Sequence, residues 1–237
     1  PSARSGISPN GFALSTSVVT IDGPSGAGKG TVARNIAYAL DFHLLDSGAI
    51  YRILGLAAME QGIEFDDIDG LVALANSLKL SFPYDEKHTN IMLNGFPLGN
   101  KLRNQMVAEA ASKVALNPLV RRALMDLQRR QAREPGLVGD GRDLGTIIFP
   151  DADLKIFLDA SLEVRAERRY LELIDSGQIV ERSAILRDLE IRDIRDRTRE
   201  IAPLVPAYDA YVIDSSKKTV AEVVMEVRDL CRAKRLV

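Results

Sequence analysis

Residues 18–31 constrain this chain more than any others. The apolar run Val18-Val19-Thr20-Ile21 leads into Gly23-Pro24-Ser25-Gly26-Ala27-Gly28-Lys29-Gly30-Thr31. Val32, Ala33, Ile36, Ala37 and Leu40 then recur at helical spacing. Strand, glycine-rich loop and helix in that order predict a phosphate-binding loop. Glycine lets the backbone curl so that several N–H groups face one concavity, and the helix N-terminus adds partial positive charge. Lys29 supplies a mobile cation for the outer phosphates. The alternative is a tight turn with a surface lysine; the coincidence of strand, glycine spacing, lysine and helix favours the loop. In the commonest form of this motif Ser or Thr follows the lysine and reaches Mg²⁺. Here Gly30 does, with Thr31 next, so direct magnesium ligation by Thr31 stays open. The loop by itself does not separate kinases from GTPases, ATPases or nucleotide-dependent switches.

At 237 residues, 46% of them hydrophobic, the chain can bury one α/β domain with an insertion or two small domains. With 5% aromatics and no Trp, the core is expected to be aliphatic. A net charge of −2 argues against a general nucleic-acid binder. The single cysteine, Cys231, excludes an intramolecular disulfide and suits a reducing cytoplasm. No stretch is apolar and long enough to cross a bilayer. Residues 1–17, rich in Ser, Gly, Pro and Asn, lack the apolar segment of a signal peptide and are expected to be a disordered tail.

Beyond the first helix, Asp41-Phe42-His43-Leu44-Leu45 reads as a short buried strand, followed by a helix to about Gln61. Leu71, Leu74, Ala75 and Leu78 mark another helix. Between Lys79 and Gly99, two strand-like runs flank the polar tip Asp85-Glu86-Lys87-His88, which predicts a small inserted hairpin or sheet. Helical pattern runs from Lys101 to Leu116, breaks at Asn117-Pro118 and resumes to Arg133. Leu137-Val138-Gly139, Lys155 to Leu158 and Tyr211-Val212-Ile213 read as strands. Ser161 is a candidate N-cap, and Thr219-Val220-Ala221-Glu222 a capping box. Strands alternating with helices imply a parallel, doubly wound sheet.

Such sheets bind ligands beyond the carboxyl ends of their strands. Three polar runs sit at those ends: Gly23–Thr31, Asp46–Arg52 and Asp140–Thr146. Arg142 and Asp143 therefore lie at the expected ligand edge, an ion pair within the loop being the alternative. Arg52, near a helix start, reads by itself better as a solvated arginine on a polar helix face than as a group facing the phosphate loop. Glu181 to Arg199 carries six arginines against five acidic residues and no lysine. Arg192, Asp196 and Arg199 share one helical face, and planar guanidinium groups suit phosphate oxygens. A lid over a triphosphate is the favoured reading of this stretch. A solvated face laced with the i,i+4 pairs Asp188/Arg192, Arg192/Asp196 and Asp193/Arg197 is the alternative.

Ile21-Asp22 with the glycine loop, Leu45-Asp-Ser-Gly-Ala-Ile-Tyr-Arg52, Gly139-Asp-Gly-Arg-Asp143-Leu-Gly-Thr146 and Arg192-x-x-Arg-Asp-Arg-x-Arg199 together resemble bacterial cytidylate kinases. The resemblance covers nearly everything from Val18 onward. It implies a P-loop kinase fold of the nucleoside monophosphate kinase type: a core over 18–65 and 106–237, an inserted acceptor-binding unit over 66–105, and a lid at about 176–202. It implies ATP and CMP or dCMP as substrates, Mg²⁺ as cofactor, a cytoplasmic location, a monomer, and no nucleic-acid or membrane partner. Among the site residues it implies, Arg52, Arg142 and Arg199 would clamp the CMP phosphate. Arg192 and Asp196 would contact ribose and phosphates, and Ser112, Arg121 and Asp143 would read cytosine. Ser47, Tyr51 and Gly141 would line the same pocket. The residues themselves do not single out Ser112 or Arg121. A carboxylate such as Asp143 can accept from the cytosine amino group, and Arg121 can donate to the ring. Lys29, Arg192 and Arg199 are the expected catalytic groups, and Asp140 reads equally as the holder of a magnesium-bound water or as a loop-capping carboxylate. His43 and His88 are isolated, so zinc or nucleophile chemistry has little support.

Overall fold

The computed structural model describes residues 16–85, 87–175 and 177–236. The expected tail falls almost wholly on residues outside that range. Its last residue, Ser17, is instead the first of strand β1 (Ser17–Asp22), where it pairs with Gly136.

Helix α1 (Lys29–Leu40) and strand β2 (His43–Asp46) follow, the helix ending where Asp41 adopts a left-handed conformation (φ 54°), so the expected strand starts two residues late. Helix α2 (Ser47–Gln61) opens under Asp46, whose side chain accepts the Ala49 N–H at 2.8 Å. Helix α3 (Ile68–Ser77) leads to the inserted sheet, which has three short antiparallel strands: β3 (Leu80–Ser81), β4 (Met92–Leu93) and β5 (Phe96–Pro97).

The helix expected from Lys101 begins later. Residues Gly99–Arg103 form a 3₁₀ turn, and α4 (Gln105–Val114) starts only where the Asn104 side chain accepts the Met106 N–H at 2.9 Å. Helix α5 (Pro118–Arg129) starts at the expected break, where Asn117 caps it and proline occupies its first turn, but ends four residues before Arg133.

Strands β6 (Gly136–Gly141) and β7 (Leu154–Asp159), helices α6 (Leu162–Asp175) and α7 (Arg182–Thr198), strand β8 (Tyr211–Asp214) and helix α8 (Val220–Ala233) complete the described elements. Both expected caps are present: Ser161 accepts the Val164 N–H, and Thr219 and Glu222 close a reciprocal box.

The main sheet is parallel throughout, in the order β2-β6-β1-β7-β8. Successive residues of β1 face opposite ways, which requires apolar cover on both sides. Val19 and Ile21 pack with Val32, Ile36, Leu158, Val223 and Cys231 under α1 and α8. Val18 joins a larger cluster with Leu45, Ile53, Leu71, Val107 and Leu124, which spans α2 through α5. A third small cluster, around Ala166, Ile185 and Leu189, joins α6 to α7. Gly55 lets α2 and α4 approach closely, since a Cβ there would stand 2.9 Å from that of Ala110. Cys231 is fully buried, and burial pushes its thiol up to about 11. Among the described residues no helix is long and apolar enough to cross a membrane.

The sheet also dictates the loop after β1. Gly23 has φ +149°, and a Cβ on it would overlap the carbonyl oxygen of Leu158 in β7. Gly23→Ala combines backbone strain with overpacking and should cost about 2–4 kcal/mol, read as a lowered urea midpoint.

Candidate active site

The loop from Gly23 to Thr31 leaves the carboxyl end of the central strand and enters α1 through three glycines of positive φ, Gly23, Gly26 and Gly28. Gly28 is the N-cap residue and supplies no side-chain bond, so the first amides of α1 are left to an anion. Ala27 and Pro24 are buried, whereas Gly26 and Gly30 are exposed. Lys29 is buried; its ammonium donates to the Pro24 carbonyl at 2.8 Å and lies 3.7 Å from Asp140 Oδ1. Burial first, and then the charge of Arg142, pull its pKa below the ordinary lysine value. Burial likewise raises that of Asp140. Gly30 is explained by the same neighbour, because a Cβ there would come within 3.1 Å of Asp140 Oδ2. A serine or threonine at this position would press on the carboxylate.

Around this loop the structure gathers most of the expected residues. Asp46 and Asp140 stand opposite each other in register at the ends of β2 and β6. Asp46 caps α2 and meets Arg52 at 3.3 Å. Ser47 is buried in the first turn of α2. Gly141 and Arg142 follow Asp140, and Arg142 donates to Asp196 on α7 at 3.1 Å. Asp143 is buried and receives Arg121 at 2.6 Å, with Arg199 approaching its other oxygen at 3.6 Å. Tyr51 lies beneath the Arg121 guanidinium, 5.5 Å from ring centre to cation, and burial pushes its hydroxyl up to about 12. Burial, reinforced by Arg142, lowers the Arg192 pKa to about 10. Arg199 Nη2 is buried with no hydrogen-bond partner among the described residues.

A cleft of about 1100 Å³ opens beside this cluster, lined by Ser25, Gly28, Thr31, Arg52, Ser112 and Arg192 among others. Ser112 spends its hydroxyl on the Ala108 carbonyl of its own helix, at 2.9 Å, and reaches the site as part of the cleft wall.

The i,i+4 pair considered for Asp193 and Arg197 gives way to contacts that run off the helix. Asp193 takes both terminal nitrogens of Arg165, and Arg197 faces Asp159 at 3.7 Å.

Three further residues are drawn into the site. Arg165 on α6 is buried and also donates to the Ala160 and Ser25 carbonyls, at 2.9 and 3.1 Å, so it ties the glycine loop to α7. Arg168 reaches the Ala27 carbonyl and both oxygens of Ser215. The available sequence signal for these two was arginine at i,i+3 in a helix that starts at the same sheet edge. The third is Asp22, whose carboxylate accepts the Leu144 and Gly145 amides at 2.9 and 2.7 Å. Burial raises its pKa to about 6.

A family model described as cytidylate kinase matches residues 19–233. Proteins named cytidylate kinase from Salmonella choleraesuis (strain SC-B67), Salmonella newport (strain SL254) and Salmonella enteritidis PT4 (strain P125109) resemble the chain throughout. Each is 48% identical over 217 residues, 92% of this chain and 96% of the relative.

Replacing Arg165 with Met would strand Asp193 as an uncompensated, mostly buried charge. Arg165→Met should therefore lose about 3 kcal/mol of stability in urea unfolding. It should also speed proteolysis between α6 and α7, because α7 loses its tie to the loop.

Proposed function

This chain belongs to the cytidylate kinase family, and we propose that it transfers the γ-phosphoryl group of ATP to the phosphate of CMP, with dCMP as a second acceptor. The observation that carries this reading is the crowding of cations at one sheet edge. Burial first, and then the charge of Arg142 beside them, lower the pKa of both Lys29 and Arg192. Several cations converging on one edge attract polyanions, and uncapped amides at the start of α1 add to this.

In this reading the amides of Gly23 to Thr31 and the Lys29 ammonium hold the β- and γ-phosphates of ATP. Arg52, Arg142 and Arg199 clamp the phosphate of CMP, and Arg192 and Asp196 hold ribose and phosphates from the α7 side. Asp143 accepts from the cytosine amino group while Arg121 donates to the ring, with Ser47, Tyr51, Ser112 and Gly141 completing the pocket. The 2.6 Å Arg121–Asp143 pair fixes both groups before any base arrives. That lowers the entropic cost of recognition. Residues 66–105 form the acceptor unit and residues from about 176 to 202 the lid.

The acceptor is itself a phosphate oxygen, so the reaction needs no side-chain nucleophile. Its barrier falls through alignment and charge neutralisation by Lys29, Arg192 and Arg199. Closure of α7 over the cleft would keep water from competing for the phosphoryl group.

Magnesium fits the residues present. Among the described residues no cluster of three acidic, histidine or cysteine side chains could cage a metal alone. Magnesium commonly arrives on nucleotide phosphates and keeps several waters, needing one protein carboxylate or two. Asp140 is the candidate, acting through a bound water, since both oxygens of Asp46 are taken by the α2 cap and Arg52. Held there, the ion would supply positive charge to offset that of the nucleotide phosphates.

The direct test is ADP production from Mg-ATP with CMP, dCMP, UMP, AMP and GMP offered separately. Fast turnover is expected with CMP and dCMP; turnover confined to another acceptor would discard the base-reading assignments. Lys29→Ala should lower kcat at least about a hundredfold with an unchanged circular dichroism spectrum. Asp143→Ala should erode the preference for CMP over UMP more than it weakens ATP binding, and an unchanged ratio would remove Asp143 from the base site.

A further inference from the structure

Asp22 is an ionisable residue at the end of the central strand, at 5% exposure. Burying a carboxylate is costly unless hydrogen bonds compensate. Thr20 and Asp22 share one face of β1, opposite the apolar face of Val19 and Ile21. That polar face is roofed by a single π-helical turn, Leu144–Ile148, which directly follows Arg142 and Asp143. Each oxygen of Asp22 takes one amide of the turn, Leu144 at 2.9 Å and Gly145 at 2.7 Å.

The seat leaves no slack. A Cβ on Gly145 would come within 2.8 Å of Thr20 Oγ1, and one on Gly141 would meet Leu144 Cγ at 2.6 Å and Asp22 Oδ1 at 3.1 Å. Leu144 itself is fully buried in the larger core cluster. The residue before the anchored amides is Asp143, which faces Arg121 and Arg199. One residue earlier, Arg142 faces Asp196. A shift of the Leu144 amide would therefore displace both together.

We propose that Asp22 is a positioning residue for acceptor recognition: from the strand that launches the phosphate loop, it holds the turn that presents Arg142 and Asp143. This rests on the acceptor roles proposed above for those two residues. Asp22 sets the distance between the donor-side loop and the acceptor-side turn through backbone contacts, without touching substrate.

Asp22→Asn tests this, because its NH₂ group would face one of the two N–H groups as a second donor, while its carbonyl oxygen accepts only from the other. Hydrogen exchange at the Leu144 and Gly145 amides should speed up at least about tenfold. The KM for CMP should rise about tenfold, the change expected when a bond to a charged acceptor is lost, while the KM for ATP moves less than about twofold. Asp22→Ser, which releases both amides without opposing them, should give the same split.

Unchanged exchange, or equal effects on both KM values, would overturn the proposal. Equal effects would mean that Asp22 acts through Lys29 and the loop. Failure of both variants to fold would overturn it too, making Asp22 a folding residue. Arg142→Ala and Asp143→Ala are measured in parallel. If neither alters the KM for CMP, the acceptor reading fails, and amide exchange still decides whether Asp22 anchors the turn.

Discussion

Mutual repulsion among cations at the carboxyl ends of β1, β2 and β6 is the constraint that the surrounding structure answers. Burial first, and then the charge of Arg142, lower the pKa of both Lys29 and Arg192, while Asp140 lies beside Lys29 and Asp196 takes Arg142. Pairs of this kind, partly withdrawn from water, add little net stability, because desolvation offsets most of the attraction. Their effect is on geometry. Stability comes instead from the aliphatic clusters on the two faces of the sheet, where burial is proportional to apolar area and indifferent to direction. One set of interactions holds the chain folded, and another arranges charge at its edge.

Local chemistry was legible in the sequence wherever it could act over a few residues. The five strands of the main sheet, the glycine loop and the Thr219 capping box depend on neighbours within a turn or a strand. Asn104 shows the limit of that legibility. The helical pattern around Lys101 was real, but a side-chain cap three residues later determined where the α-helix begins.

The site was readable in part for the same reason. Lys29, Arg52 and Arg142 sit on motifs adjoining strands, so topology alone carries them to one edge. Arg121 carries no such mark. It looks like a surface charge on a polar helix, and only the fold buries it against Asp143, 22 residues away. Arg165 is further from reach, since its partners Ser25 and Asp193 lie 140 and 28 residues off. Asp22 was visible as part of the loop motif, but its role depends on a turn 122 residues later. What the sequence conceals are contacts whose two halves come from separate motifs.

Cys231 has a consequence of a different kind. It is the only thiol in the chain, it is fully enclosed between α8 and the sheet, and burial keeps it protonated. A thiol-modifying reagent can reach it only when that helix lifts away, since reactivity needs both access and the thiolate. The rate at which this protein takes up such a label is thus a built-in clock for the opening of one face of its core. The clock reports on the side of the sheet that holds α1 and leaves the acceptor side unread.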